Sequence, residues 1–105
     1  WLMEGKELAV IVSADITADA VVTAAPALYF GAQLFGGTAD SSLVIYDNAT
    51  EAAGTVIDRL SVNASTNAGD AEVFHNFAKP VNCVNGIYVD WTGTAAIGKV
   101  YYQVK

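Results

Sequence analysis

The chain has 105 residues, enough for one domain with a modest core, and 53 % of them are hydrophobic while only 15 % are charged. Eleven acidic residues against five lysines and arginines give a formal charge of −6, the wrong sign for neutralising phosphates, so nucleic acid and anionic membrane surfaces drop out of the expected partners. A single cysteine, Cys83, excludes an intrachain disulfide and a thiolate metal cluster; it reads as a buried, inert thiol, and stability has to come from packing.

Residues 1–7 stand apart as an N-terminal arm, with Trp1 and Leu2 as apolar anchors, ahead of a single domain over residues 8–105. Leu8, Val10 and Val12 alternate with Ala9, Ile11 and Ser13, and a second apolar group follows at Ala20 to Thr23, which predicts a strand, a turn and a strand. Pro26 restricts Ala25 and argues against one helix through residues 18–35. Beyond it, Leu28, Phe30, Ala32 and Leu34 are expected on one side of a strand, with Tyr29, Gly31, Gln33 and Phe35 on the other and Gly36-Gly37 ending it.

From Ser42 to Val62 two β-branched runs flank a small polar connection. Asp47 and Asn48 can hydrogen-bond their own main chain, and Gly54 relieves the return, so this stretch reads as a hairpin. Residues 63–70 form a polar loop expected to be exposed. Ala71 to Phe77 is open to two readings, helix from the spacing of Val73 and Phe77 or strand from Val73, His75 and Phe77; strand or irregular structure is preferred, with Pro80 as a stop. Asn85-Gly86 is a strong turn signal. After it Ile87, Val89 and Trp91 alternate with Tyr88, Asp90 and Thr92, and in the last strand Val100, Tyr102 and Val104 oppose Lys99, Tyr101, Gln103 and Lys105. Short strands without a long helix between them predict an all-β fold, an antiparallel β-sandwich or jelly-roll-like barrel of about seven to nine short strands.

Motifs that carry chemistry are missing. His75 is the only histidine and has no Gly-x-Ser-x-Gly partner motif, so no nucleophile and base can be assigned. Asp15 and Asp19, or Asp40 and Asp47, could meet across loops, yet neither pair follows a calcium-loop spacing, and solvated turns explain them. Gly36-Gly37-Thr38 lacks the lysine and spacing of a nucleotide-binding loop. The expectation is therefore a non-enzymatic chain with no cofactor and no metal. Tyr29, Tyr88 and Tyr101 fall on strand faces opposite the expected core, where they could stack on sugars or pack in a subunit interface; the interface is the preferred reading.

Two phrases, LVIYDNATEAAGTVID at 43–58 and NGIYVDWTGTAAIGKVYYQ at 85–103, together with their spacing, resemble the small β-rich virion proteins of tailed bacteriophages, particularly head decoration or cement proteins. That resemblance implies a structural subunit on the outer surface of the capsid. Its partner would be the major capsid protein, and it would stabilise the shell by bridging neighbouring subunits as a homo-oligomer, with a trimer favoured. Trp1, Leu2, Tyr29, Tyr88 and Tyr101 are then the interface residues. The alternative is a glycan-binding adhesion module of a tail fibre or baseplate, reading a cell-surface glycan through loop tyrosines and Trp91.

Overall fold

The computed structural model describes residues 10–67 and 70–105, so the expected arm and its anchors Trp1 and Leu2 lie outside the described residues. Eight strands run in chain order: β1 (Ile11–Val12), β2 (Ala20–Thr23), β3 (Ala27–Phe35), β4 (Ser41–Asp47), β5 (Thr55–Val62), β6 (Glu72–Cys83), β7 (Ile87–Thr92) and β8 (Ile97–Val104). They form two antiparallel four-stranded sheets, ordered β1-β8-β3-β6 and β2-β7-β4-β5. The fold is thus all-β and a sandwich, as the alternation and turn signals predict.

The core lies between the two inner faces. Leu34 and Val100 come from the first sheet, Leu43, Ile45, Ile87 and Val89 from the second, and all are fully buried. Strict alternation puts them there: in β4, Ser41, Leu43 and Ile45 are buried while Ser42, Val44 and Tyr46 are half-exposed. Burying each such aliphatic side chain stabilises the fold by about 1.5–3 kcal/mol. Ile16, in the connection between β1 and β2, also enters this core, held by reciprocal backbone bonds of 2.8 Å to Gly98.

The expected hairpin is present, with β4 and β5 paired from Ser41 opposite Val62 to Asp47 opposite Thr55. Its polar connection is closed by one side chain. Asn48 Oδ1 accepts from the backbone amides of Thr50 at 2.8 Å and Glu51 at 3.0 Å, and its Nδ2 donates to the Ala53 carbonyl at 3.0 Å. Gly54 then turns the chain back at φ 87°, a conformation that glycine adopts freely.

Strand β3 departs from the expected facing. Ala27 and Tyr29 point inward together with Ala32 and Leu34, whereas Leu28 and Phe30 are half-exposed. The cause is a bulge. Tyr29 pairs with Tyr102 and Gly31 with Tyr101, so two adjacent residues of β8 face three of β3 and Phe30 is the extra one. Gly31 carries the distortion at φ 151°, where an added Cβ would collide with the His75 carbonyl oxygen. The alternation changes phase at this point, and Tyr29, expected on the outer face as an interface residue, is instead 0 % exposed in the core.

Strand β6 corrects two further expectations. It is strand throughout, with Val73, His75 and Phe77 half-buried and Phe74 and Asn76 exposed, so the helical reading of Ala71 to Phe77 falls. Nor does Pro80 stop it. Asn76 pairs with Gly31 and Val81 with Tyr29, leaving Phe77 to Pro80 as an insertion opposite Phe30 on an edge strand, where a missing N–H costs no ladder bond. Both edges of the second sheet are irregular too: Val22 is an extra residue in β2 against β7, and Ile57 in β5 against β4.

Candidate functional site

Three arrangements of polar and aromatic side chains are built by this topology. The first ties the sheets together. Asp58 pairs with Ile45 and so faces inward from β5, where its carboxylate accepts the Tyr29 hydroxyl at 2.8 Å and His75 Nδ1 at 2.9 Å. An ionised carboxylate only accepts, which places the imidazole proton on Nδ1. The Asp58 side chain is 10 % exposed and that of His75 36 %. Burial first, and the neighbouring Asp58 second, push the Tyr29 hydroxyl far above its ordinary pKa, so it stays a neutral donor. An aspartate holding a histidine is half of a nucleophile-activating array. Among the described residues, however, the only side chain that hydrogen-bonds His75 is Asp58, and a cavity of about 290 Å³ lies elsewhere, opening on Ser13, Asp15, Thr17, Val22 and Tyr102, beside the β1–β2 connection. The arrangement acts as a tie between layers.

The second arrangement covers the outer face of the first sheet. Tyr101 on β8 lies opposite Gly31, while Phe74 on β6 lies opposite Gln33, diagonally across β3. The Tyr101 and Phe74 rings therefore meet across β3, with centroids 5.7 Å apart and planes tilted by 59°. Phe74 is 50 % exposed. Beside the rings, the Tyr101 hydroxyl donates to Gln33 Oε1 at 3.0 Å, and Gln33 Nε2 donates in turn to the Glu72 carboxylate.

The third lies on the outer face of the second sheet, where Tyr88 sits in one row with Val21 and Tyr46. Asp19 accepts the Trp91 backbone amide at 2.8 Å and meets the Asp90 carboxyl. Partial desolvation, the hydrogen bond with Asp19 and the Asp19 charge raise the Asp90 pKa above the ordinary carboxylate range. Partial desolvation also raises the Tyr88 hydroxyl, helped by Asp19, Asp90 and Glu51.

Of the interface residues expected from the sequence, then, Tyr88 and Tyr101 are on outward faces of different sheets, Tyr29 is in the core, and the structure does not bring the three together. Trp91 lies on β7 and not in a loop, lines up with Leu43 and packs half-buried against the core. The aspartates of the two pairs that the sequence reading set aside have other partners. Asp15 binds Lys99 at 2.6 Å, Asp40 accepts the Ala64 amide at 2.8 Å, and Asp47 accepts the Asn85 amide at 2.8 Å. Among the described residues no three His, Cys, Asp or Glu side chains are grouped so as to hold a metal ion. Phe74, Gln33, Glu72 and Asp58 were missed by sequence reasoning; the outward facing of Phe74 was the one signal available, since Val73, His75 and Phe77 share the other face.

Comparison of the chain with protein families, with curated proteins and with solved structures finds no match to any of them.

Proposed function

We propose that this chain works by binding, as a non-enzymatic virion structural subunit of the capsid decoration or cement type. The observation that carries the reading is how the side chains are spent. Asp47 and Asp58 are consumed in ties between strands, as is His75, while aromatic rings are presented outward on both sheets. Among the described residues, such a molecule offers surfaces and no assembled reaction centre. The two phrases that resemble phage head proteins fall on β4–β5 and β7–β8, and β4 and β7 are paired neighbours in the second sheet.

In this reading the outer face around Tyr88 and Tyr46, together with residues 1–7, docks on the major capsid protein from outside and bridges adjacent shell subunits. Many copies fixed on one lattice would add their individually weak contacts through multivalency. A homotrimer is the favoured assembly. The test is co-sedimentation with purified heads of its own virion, alongside native mass spectrometry. Saturable recovery of a trimer in fixed ratio to shell subunits, lost in Tyr88→Ala or on deletion of residues 1–7, supports the reading; a monodisperse monomer that leaves heads bare overturns it.

A further inference from the structure

We propose that Phe74, Tyr101, Gln33 and Glu72, on the outer face of the first sheet, form a binding ledge for a neutral pyranose ring of an oligosaccharide. This goes beyond the virion reading and does not rest on it.

The ledge is built on an aromatic contact across the central strand of the sheet. Strands β8 and β6 flank β3 and run about 9–10 Å apart, two inter-strand spacings, so rings on them ordinarily have a side chain of the central strand between them. At Gly31 the backbone of β6 fills the place a side chain would take, and Tyr101 and Phe74 reach each other diagonally across β3, tilted by 59°. The result is a shallow aromatic floor, half in water at Phe74.

Alongside the floor runs an oriented polar chain. The Tyr101 hydroxyl bonds to Gln33 Oε1, which fixes the amide so that Nε2 faces the Glu72 carboxylate. One Gln33 N–H, the remaining lone pairs of Glu72 and those of the Tyr101 oxygen are left over for a ligand. A pyranose fits both parts. Its C–H face stacks on aromatic rings, and its neighbouring hydroxyls donate to a carboxylate and accept from an amide. A purely apolar protein surface seated on the same floor would strip water from Gln33 and Glu72 without replacing those bonds, at a cost. The charge sets the sugar type: Glu72 at the rim of a chain of net charge −6 repels sialic or uronic acids and accepts an uncharged or acetamido sugar. The opposite face lacks this combination, because Tyr88 there stands beside Asp19 and Asp90 without a fixed amide.

The test titrates the intact, ¹⁵N-labelled chain with neutral hexasaccharides of glucose, of galactose and of N-acetylglucosamine at millimolar concentration. The expected result is saturable amide shifts centred on Gln33, Phe74 and Tyr101 with at least one of the three. Phe74→Ala, at an exposed position where folding is unaffected, should weaken binding by about ten-fold or more, and Gln33→Ala by a smaller factor, while Tyr88→Ala leaves it unchanged. No shift with any of the three sugars, shifts centred elsewhere, or shifts that survive Phe74→Ala would overturn the ledge. Head binding without sugar binding would sink the ledge and leave the virion reading standing; sugar binding by a chain that ignores heads would do the reverse.

Discussion

Asp58 on β5 and His75 on β6 meet across the sandwich at 2.9 Å, and the Tyr29 hydroxyl joins the same carboxylate from β3 at 2.8 Å. The tie is strong because it is buried, and removing different members should cost different amounts. Asp58→Ala leaves the fully buried Tyr29 hydroxyl without an acceptor and is expected to destabilise the fold by about 2–3 kcal/mol. Tyr29→Phe removes donor and need together and should cost nearer to 1 kcal/mol. Urea denaturation of the two variants measures the difference, and equal losses would show that the carboxylate does not serve the tyrosine.

The same tyrosine sets an alkaline limit. Burial raises its folded pKa, while the unfolded chain ionises it near the ordinary value of 10.0. Below that value both states hold the proton and the term is silent. Above it the unfolded state loses a proton that the folded state keeps, so stability falls by about 1.4 kcal/mol per pH unit. Denaturant midpoints taken from pH 9 upward should therefore drop less steeply in Tyr29→Phe than in the parent.

Gly31→Ala should be among the most damaging single changes in the chain. A methyl group there meets the backbone of β6, which cannot swing aside as a side chain can, and the φ of 151° is itself strained for alanine. A loss of more than about 3 kcal/mol is expected, from the unfolding midpoint or from failure to accumulate soluble protein. Gly54→Ala is the comparison: it shares a positive φ, but a methyl there meets its neighbours only at ordinary van der Waals distance, and it should cost only about 1 kcal/mol.

Asp90 works against the fold at neutral pH. Its folded pKa is raised above the unfolded value of 3.8, so its favourable contribution is present below that value and disappears as pH rises through the folded pKa. Asp90→Asn keeps a hydrogen-bonding partner for Asp19 and removes the repulsion. The variant is expected to be more stable than the parent at pH 7, by no more than about 1 kcal/mol for so exposed a pair, with the advantage shrinking below pH 4. Thermal melts at the two pH values check both the sign and its disappearance.

Cys83 should be a slow thiol. Burial, and then the nearby Asp47 charge, push its pKa up to about 11, so little thiolate exists at pH 8 and the sulfur is shielded as well. Labelling by a thiol-disulfide reagent should be at least about a hundred-fold slower in the native chain than in urea. Rapid native labelling would contradict the packing around β6.

Strands β4, β5, β7 and β8 were legible in the sequence because their determinants are local: β-branched alternation, the Asn48 and Gly54 turn, and Asn85-Gly86. Tyr29 was misplaced because its facing depends on an extra residue, Phe30, which becomes extra only once β3 is paired to β8 and β6. Pro80 misled for a similar reason, since a proline ends a central strand but sits easily in the bulge of an edge strand, and edge position is a property of sheet order. Asp58 and His75 are 17 residues apart and on different sheets, so their meeting follows from stacking and not from spacing. For the aromatic ledge, the outward facing of Phe74 and Tyr101 could be read in advance. That they touch required knowing the registers of β6 and β8 on either side of β3.

Each edge strand longer than two residues carries an irregularity, at Val22, at Ile57, and at Phe77 to Pro80. A ladder with an extra residue in it cannot be copied in register by an identical strand, which bars the open polymerisation that flat sandwiches risk when their edges are regular. At these three edges, copies of this chain crowded at high local density are therefore hindered from zippering in register, and the short β1 edge is left as the one regular ladder among the described edges.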